Sequence, residues 1–240
     1  MRPCIPAHTS PLPWRPPGRG SARLHNLFSG RCRFCRARSH GGELCPGCRE
    51  DLPWISAACR RCGLPLASGA RECAGCLAAP PPFDRARVLW TYTDGVDELI
   101  RGFKLHEDLA AGRLLAGLAA EALHERRVPC HGPLVPVPLH RARYRWRGFN
   151  QSALIARWLG APTMESLICR RRDTPPQRGR SAVERRAALH GAFHLQRPPP
   201  RTVTLVDDVV TTGASLAAVA DCLRRGGVER IEVIALARAI

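Results

Sequence analysis

At 240 residues the chain is long enough for one substantial core and a small satellite, so two domains are expected. The formal net charge of +17 is carried almost wholly by arginine, Lys104 being the sole lysine; it points either to a polyanionic partner or to a solvated basic surface that only aids solubility. No run of about 18 or more apolar residues occurs and no leader-like apolar stretch follows the first arginines, so membrane insertion is not expected and a cytoplasmic protein is.

Residues 1–28 are rich in Pro, Arg and Ser without hydrophobic periodicity and are expected to form a disordered basic tail. Residues 29–79 hold four Cys-x-x-Cys pairs: Cys32/Cys35, Cys45/Cys48, Cys59/Cys62 and Cys73/Cys76. One knuckle points two thiolates at an ion and two knuckles complete the tetrahedral sulfur shell that zinc prefers, so two structural zinc ions are expected. The segment has few large apolar residues, and metal ligation worth ~10–16 kcal/mol per site would replace a core. Neighbouring pairs joining gives a double zinc ribbon, favoured by the hairpin-like spacer in each half; interleaved pairs give a cross-brace. Loss of one knuckle is expected to unfold this module and spare the rest. Cys4, Cys130, Cys169 and Cys222 stand alone and read as ordinary thiols.

Pro80-Pro81-Pro82 reads as a stiff linker into a second domain over 80–240. There strand and helix signals alternate: a strand over 87–92, helices over roughly 95–106 and 108–127, a strand over 134–137, a helix from Gln151 to Leu159 and a weak strand near Met164 to Ile168. Leucines 109, 114, 115, 118 and 123 fall on one broad face of the second helix. Residues 170–187 read as an exposed loop. Strand 202–206, helix 214–225 and strand 231–237 make a parallel α/β unit, so the fold class is α/β with a Rossmann-like parallel sheet behind a small amino-terminal zinc-ribbon domain.

The most specific chemistry lies in Val203-Thr204-Leu205-Val206-Asp207-Asp208-Val209-Val210-Thr211-Thr212-Gly213-Ala214-Ser215. A buried strand delivers two carboxylates at its carboxyl end, where ligands of open α/β sheets bind. Asp207 and Asp208 suit a vicinal diol such as the 2- and 3-hydroxyls of ribose. The backbone N–H groups and hydroxyls from Val209 through Thr211, Thr212, Gly213, Ala214 and Ser215 suit a phosphate at a helix amino-terminus. Magnesium is expected nearby with pyrophosphate oxygens. The plainer alternative makes Asp208 a turn residue and Thr211 or Thr212 an N-cap.

This run resembles the phosphoribosyl pyrophosphate (PRPP) motif of type I phosphoribosyltransferases. Over residues 30–240 the chain resembles the competence protein F (ComF) family, the GntX-like group included. The likeness is carried by the cysteine pairs, Gly102-Phe103-Lys104, Val135-Pro136-Val137-Pro138-Leu139-His140-Arg141, Arg147-Gly148-Phe149-Asn150-Gln151 and the phosphate motif. It implies a type I phosphoribosyltransferase-like fold, a Pro-Val-Pro loop facing pyrophosphate, and a flexible hood formed by Thr174 through Gln177 and Arg185 to Phe193. Within the hood Arg180 stands where leucine is expected and Ala188 where asparagine is. The resemblance also implies a part in natural transformation, with single-stranded DNA and DNA-uptake proteins as partners.

Arg141, Arg143, Arg145 and Arg147 alternate with Ala142, Tyr144 and Trp146. In an extended loop this spacing sets guanidinium groups on one side and aromatic rings on the other, as a single-strand groove needs. Arg141 and Arg147 equally suit a pyrophosphate clamp, and His140 is the one histidine in a plausible site. Arg143 and Arg145 read better as a solvated surface. Two functions follow: a phosphoribosyltransferase-like protein that binds PRPP, with phosphoribosyl transfer to an unidentified acceptor, or a non-catalytic accessory that handles single-stranded DNA.

Overall fold

The computed structural model describes residues 30–39, 43–67, 70–173, 188–189 and 191–240. The expected tail over 1–28, with Cys4, and the hood positions Thr174 to Gln177, Arg180 and Arg185 lie outside the described residues.

The cysteine-rich part contributes the short strands β1 (Gly30–Arg31) and β2 (Arg38–Ser39) and the short helices α1 (Pro46–Glu50) and α2 (Ala74–Ala78). There follow β3 (Arg85–Thr91), α3 (Val96–Leu105), α4 (Leu109–Glu125), β4 (Leu134–Pro136), α5 (Arg141–Arg147) and α6 (Gln151–Trp158). The chain closes with β5 (Ile168–Arg170), β6 (Phe193–Leu195), β7 (Thr202–Val210), α7 (Ala214–Arg225) and β8 (Arg230–Arg238).

Four strands form one sheet in the order β3-β8-β7-β4, and every pairing in it is parallel. The central strands β7 and β8 are covered on both faces, which is why they read as near-continuous apolar runs. Phe103 of α3, Leu115 of α4 and Ile155 of α6 pack with Val206 and Ile234 on one face. Leu216, Val219 and Leu223 of α7 pack with Val203, Leu205 and Val233 on the other. The fold is mixed α/β with a parallel sheet, consistent with the phosphoribosyltransferase-like expectation.

The exposed margin of the edge strand β3 is covered by the cysteine-rich part. Ile55 donates its N–H to Leu89 (2.8 Å), Thr91 donates to Pro53 (3.0 Å), and the Trp54 and Trp90 rings lie 4.8 Å apart. Cys32, Leu44 and Leu52 therefore belong to the same buried cluster as Trp90 and Leu115. Covering an edge strand removes a template for unwanted strand pairing.

Four local expectations change. β7 runs on through Val210, beyond the expected end at 206, because Asp207, Val209 and Val210 keep register with Ala235, Ala237 and Arg238 of β8. The arginine-rich 141–147 segment is helical rather than extended: the His140 ring accepts the Ala142 N–H at its start, and Gly148 at φ 80° closes it by donating to the Tyr144 carbonyl. The weak strand expected over 164–168 is displaced to β5, which pairs antiparallel with β6 in a separate two-stranded sheet. On α4, Leu109 is exposed, and alanines 111, 116, 119 and 120 join Leu115, Leu118 and Leu123 on the buried face.

Candidate functional site

The eight paired cysteines form two sets, Cys32, Cys35, Cys45, Cys48 and Cys59, Cys62, Cys73, Cys76, each with all sulfurs within 4.8 Å of one another. Neighbouring pairs join, so the arrangement is the ribbon and not the cross-brace. Each half repeats one design, a knuckle in a hairpin turn followed by a second at the start of a short helix, Cys45 preceding α1 and Cys73 preceding α2. The Cys35–Cys45 and Cys62–Cys73 sulfur separations are 3.6 and 3.7 Å. Zinc–sulfur bonds of about 2.3 Å give a tetrahedral edge of about 3.8 Å, so the spacing fits the ion. Burial opposes ionisation of Cys32, yet the backbone N–H groups of Cys45, Cys35 and Phe34 aimed at its sulfur bring it down to about 6. Cys59 is brought to about 7 against burial by the N–H groups of Cys73, Cys62 and Arg61. Cys48, by contrast, is pushed up to about 12 by the Cys35 and Cys45 sulfurs beside it. Four thiolates share so small a space only around a cation. The two sets fit two structural zinc ions.

The second site lies where β7 leaves the sheet. Asp208 is buried at 7% exposure, and Lys104, near the end of α3, sets its ammonium 3.0 Å from Asp208 Oδ2. Asp207 Oδ1 accepts the Ser152 hydroxyl of α6 at 3.0 Å and the Asp208 N–H at 3.0 Å. Burial and the Asp208 charge push the Asp207 carboxyl up to about 7, while Lys104 and the Ser152 hydroxyl pull the other way. Burial, the largest single influence, would lower the Lys104 ammonium, but the Asp208 charge and hydrogen bond together with the Asp207 charge raise its value.

Past the strand, Arg238 of β8 donates Nη1 to the carbonyls of Val210 (2.9 Å) and Thr211, pinning the turn. Gly213 takes φ 74°, a left-handed conformation suited to glycine, and a Cβ there would meet only Val210 Cγ1 at 3.9 Å, so the space above the turn is open. Helix α7 begins without a side-chain cap; the nearest contact is Thr212 Oγ1, 3.4 Å from the Ala214 N–H. The N-cap alternative is thus weakly realised, and the first N–H groups of α7, those of Ala214 and Ser215 among them, face the turn made by Val209 to Gly213.

Strand β4 lies beside β7, and Val137 donates its N–H to Val206 at 2.9 Å, so the Pro-Val-Pro segment runs alongside the acid pair. His140 turns back to cap α5 and lies 3.5 Å from Asp173. Arg141 is exposed on the first turn of α5. Arg147 feels the acid pair: burial lowers its guanidinium value, the Asp208 charge acts in the opposite sense, and its Nε is buried with no hydrogen-bond partner among the described residues. Gln151 Nε2 is likewise buried and unpartnered.

Sequence reasoning names the acid pair, the phosphate turn, His140, Arg141 and Arg147 but assigns no role to three further residues. Lys104 stands out in the sequence only as the sole lysine and as part of the Gly-Phe-Lys run. Ser152 follows the Asn150-Gln151 helix start with nothing local to mark it. Arg238 is separated from the turn by all of α7.

Residues 23–77 match the model of the double zinc ribbon domain family. Competence protein F of Haemophilus influenzae is 36% identical over 232 residues, which cover 90% of this chain and 100% of that protein. The chain belongs to the competence protein F family. Among further ComF relatives, the DNA utilization protein YhgH of Escherichia coli K12 is 34% identical over 88% of this chain and 98% of its own length. Competence protein ComFC of Bacillus subtilis is 28% identical over 77% of this chain and 79% of its own. Among the described residues of this ComF protein, no helix is long and apolar enough to cross a membrane.

Proposed function

We propose that the chain binds PRPP at the end of β7 and serves competence or DNA utilization, the roles its relatives' names carry. The observation that carries this reading is the convergence of two adjacent, partly desolvated carboxylates with the uncapped start of α7 across an open turn. Asp207 and Asp208 accept the ribose hydroxyls, and the N–H groups and hydroxyls of Thr211 to Ser215 hold the 5-phosphate. His140, Arg141 and Arg147 line the pyrophosphate side, with Arg147 the best placed.

Among the described residues the clusters able to hold a metal by side chains alone are the two cysteine sets, so magnesium would draw its oxygens chiefly from pyrophosphate and water. It would supply neutralisation of the departing charge. The chemistry this arrangement suits is phosphoribosyl transfer through a cation-like ribose, driven by positioning and electrostatics. No described side chain identifies the acceptor, and a panel of bases assayed for pyrophosphate release would find it. Isothermal calorimetry with magnesium PRPP tests the binding step. Asp207→Asn with Asp208→Asn should weaken it by a few kcal/mol in total, at ~1.5–3 kcal/mol per charged hydrogen bond. Unchanged affinity in that variant moves the ligand elsewhere.

A second reading, single-stranded DNA as partner, is favoured by Trp146, which is 73% exposed and flanked by Arg145 and Arg147. A base stacked on that ring would sit among cations able to neutralise its phosphate.

A further inference from the structure

We propose that Lys104 is a ligand-binding residue whose ammonium takes a pyrophosphate oxygen while keeping its ion pair with Asp208. The inference rests on the phosphoribosyl reading of the β7 site.

Lys104 is the only lysine among 37 basic Lys and Arg side chains, and among the described residues it alone forms an ion pair with an acid of the pair. An ammonium is a compact point charge with three donors and no acceptor, whereas a guanidinium is a wide planar fork. The Asp208 contact occupies one donor, and the side chain remains 26% exposed, so donors are left for a ligand at the same carboxylate. Its position is rigid: neighbouring Phe103 is fully buried and stacks on Phe149 at 5.3 Å, just beyond the α5 segment that carries Arg147.

Charge balance adds an independent reason. Lys104 and Arg147 both feel Asp208, while burial and the Asp208 charge push Asp207 up to about 7 and so oppose its ionisation. Two cations therefore face an acid pair that falls short of its full double charge, and Arg147 Nε has no hydrogen-bond partner among the described residues. Tyr92, just past β3, and Ser152 also face the cluster, and neither supplies a cation. An anionic oxygen between the ammonium and the guanidinium completes the balance.

The test compares two probes, magnesium PRPP and ribose 5-phosphate, which share the ribose and 5-phosphate but differ in the pyrophosphate. Lys104→Met should weaken magnesium PRPP about tenfold or more, the worth of a charged hydrogen bond, and leave ribose 5-phosphate within about twofold. Equal losses for both probes would mean that Lys104 only supports Asp208, and no loss for either would remove it from the site; both outcomes overturn the proposal. A wild-type protein that binds neither probe overturns the phosphoribosyl reading and this inference with it. A second measurement needs no variant. Because the chain has a single ε-amine, acylation followed by peptide mass spectrometry reads Lys104 alone among side chains. Magnesium PRPP should slow that labelling while ribose 5-phosphate does not, and equal rates with either probe bound would refute the contact.

Discussion

At the scale of single residues, the site is assembled from groups that stabilise the ligand-ready arrangement at some cost to the fold. Asp207 has an ordinary value of 3.8 and is pushed up to about 7, burial being the largest cause and the Asp208 charge the next. A carboxyl that holds its proton more tightly when folded favours the native state at acid pH, and that contribution is lost as pH rises from about 4 towards 7. Asp207→Asn keeps an Oδ1 acceptor for the Ser152 hydroxyl and the Asp208 N–H but never acquires the desolvated charge. Its melting temperature should exceed that of the wild type near about pH 8, by roughly 2–4 °C per kcal/mol relieved, and the gain should vanish near about pH 4. Calorimetric scans across this range check the sign; a gain that does not depend on pH would show that the buried charge is not its source.

At the scale of elements, α5 shows how a period can mislead. Alternating arginine and aromatic residues suggest two sides of an extended strand, but at about 100° per residue the same spacing scatters around a helix. Arg141 falls with Arg145, Arg143 with Arg147, and Tyr144 and Trp146 point well apart. The cues for the helix are present in the ring of His140 as a cap and in Gly148 as a stop, and they outweigh the alternation because they satisfy backbone groups. A stacking platform for a DNA strand then rests on Trp146 with its neighbouring arginines. Trp146→Ala should weaken strand binding by ~1–3 kcal/mol and leave the salt dependence alone. Arg143→Ala with Arg145→Ala should instead flatten the fall of log affinity with log salt, by about 0.7 for each phosphate no longer neutralised. Fluorescence anisotropy measures both, and an absence of binding even at low salt leaves α5 as part of the phosphoribosyl site alone.

At the scale of the molecule, the ribbons are part of the sheet's structure. Besides covering β3, they are tied to the layer above it by Arg33 to Asp108 and by Arg49 to Glu121 at 2.8 Å. The sequence suggests a module that unfolds alone when a knuckle is lost. The shared cluster of Cys32, Leu44, Leu52, Trp90 and Leu115 leads to a different prediction. Native mass spectrometry should count two zinc ions per chain. Chelation, which removes ~10–16 kcal/mol of ligation per site, should lower the melting temperature of the whole chain in one transition and expose the β3 edge to aggregation. A separate early transition, with the α/β part melting unchanged, would return the module to independence.

The sequence by itself determined the features whose signals are local. The regular Cys-x-x-Cys spacing specified two four-sulfur sites, the apolar runs at 202–206 and 231–237 specified buried parallel strands, and Asp207-Asp208 with Thr-Thr-Gly specified a carboxylate pair ahead of a helix start. Only the tertiary structure decided which cysteine pairs join, that β7 carries both acids within its paired length, and that Lys104, Ser152 and Arg238 meet at that strand's end. Those partners lie 104, 55 and 27 residues from the groups they touch. At such separations no side-chain period or cap links them. Packing α3 and α6 on one face of the sheet, with β8 registered beside β7, is what brings an ammonium, a hydroxyl and a guanidinium to the carboxyl end of β7 and the turn that follows it.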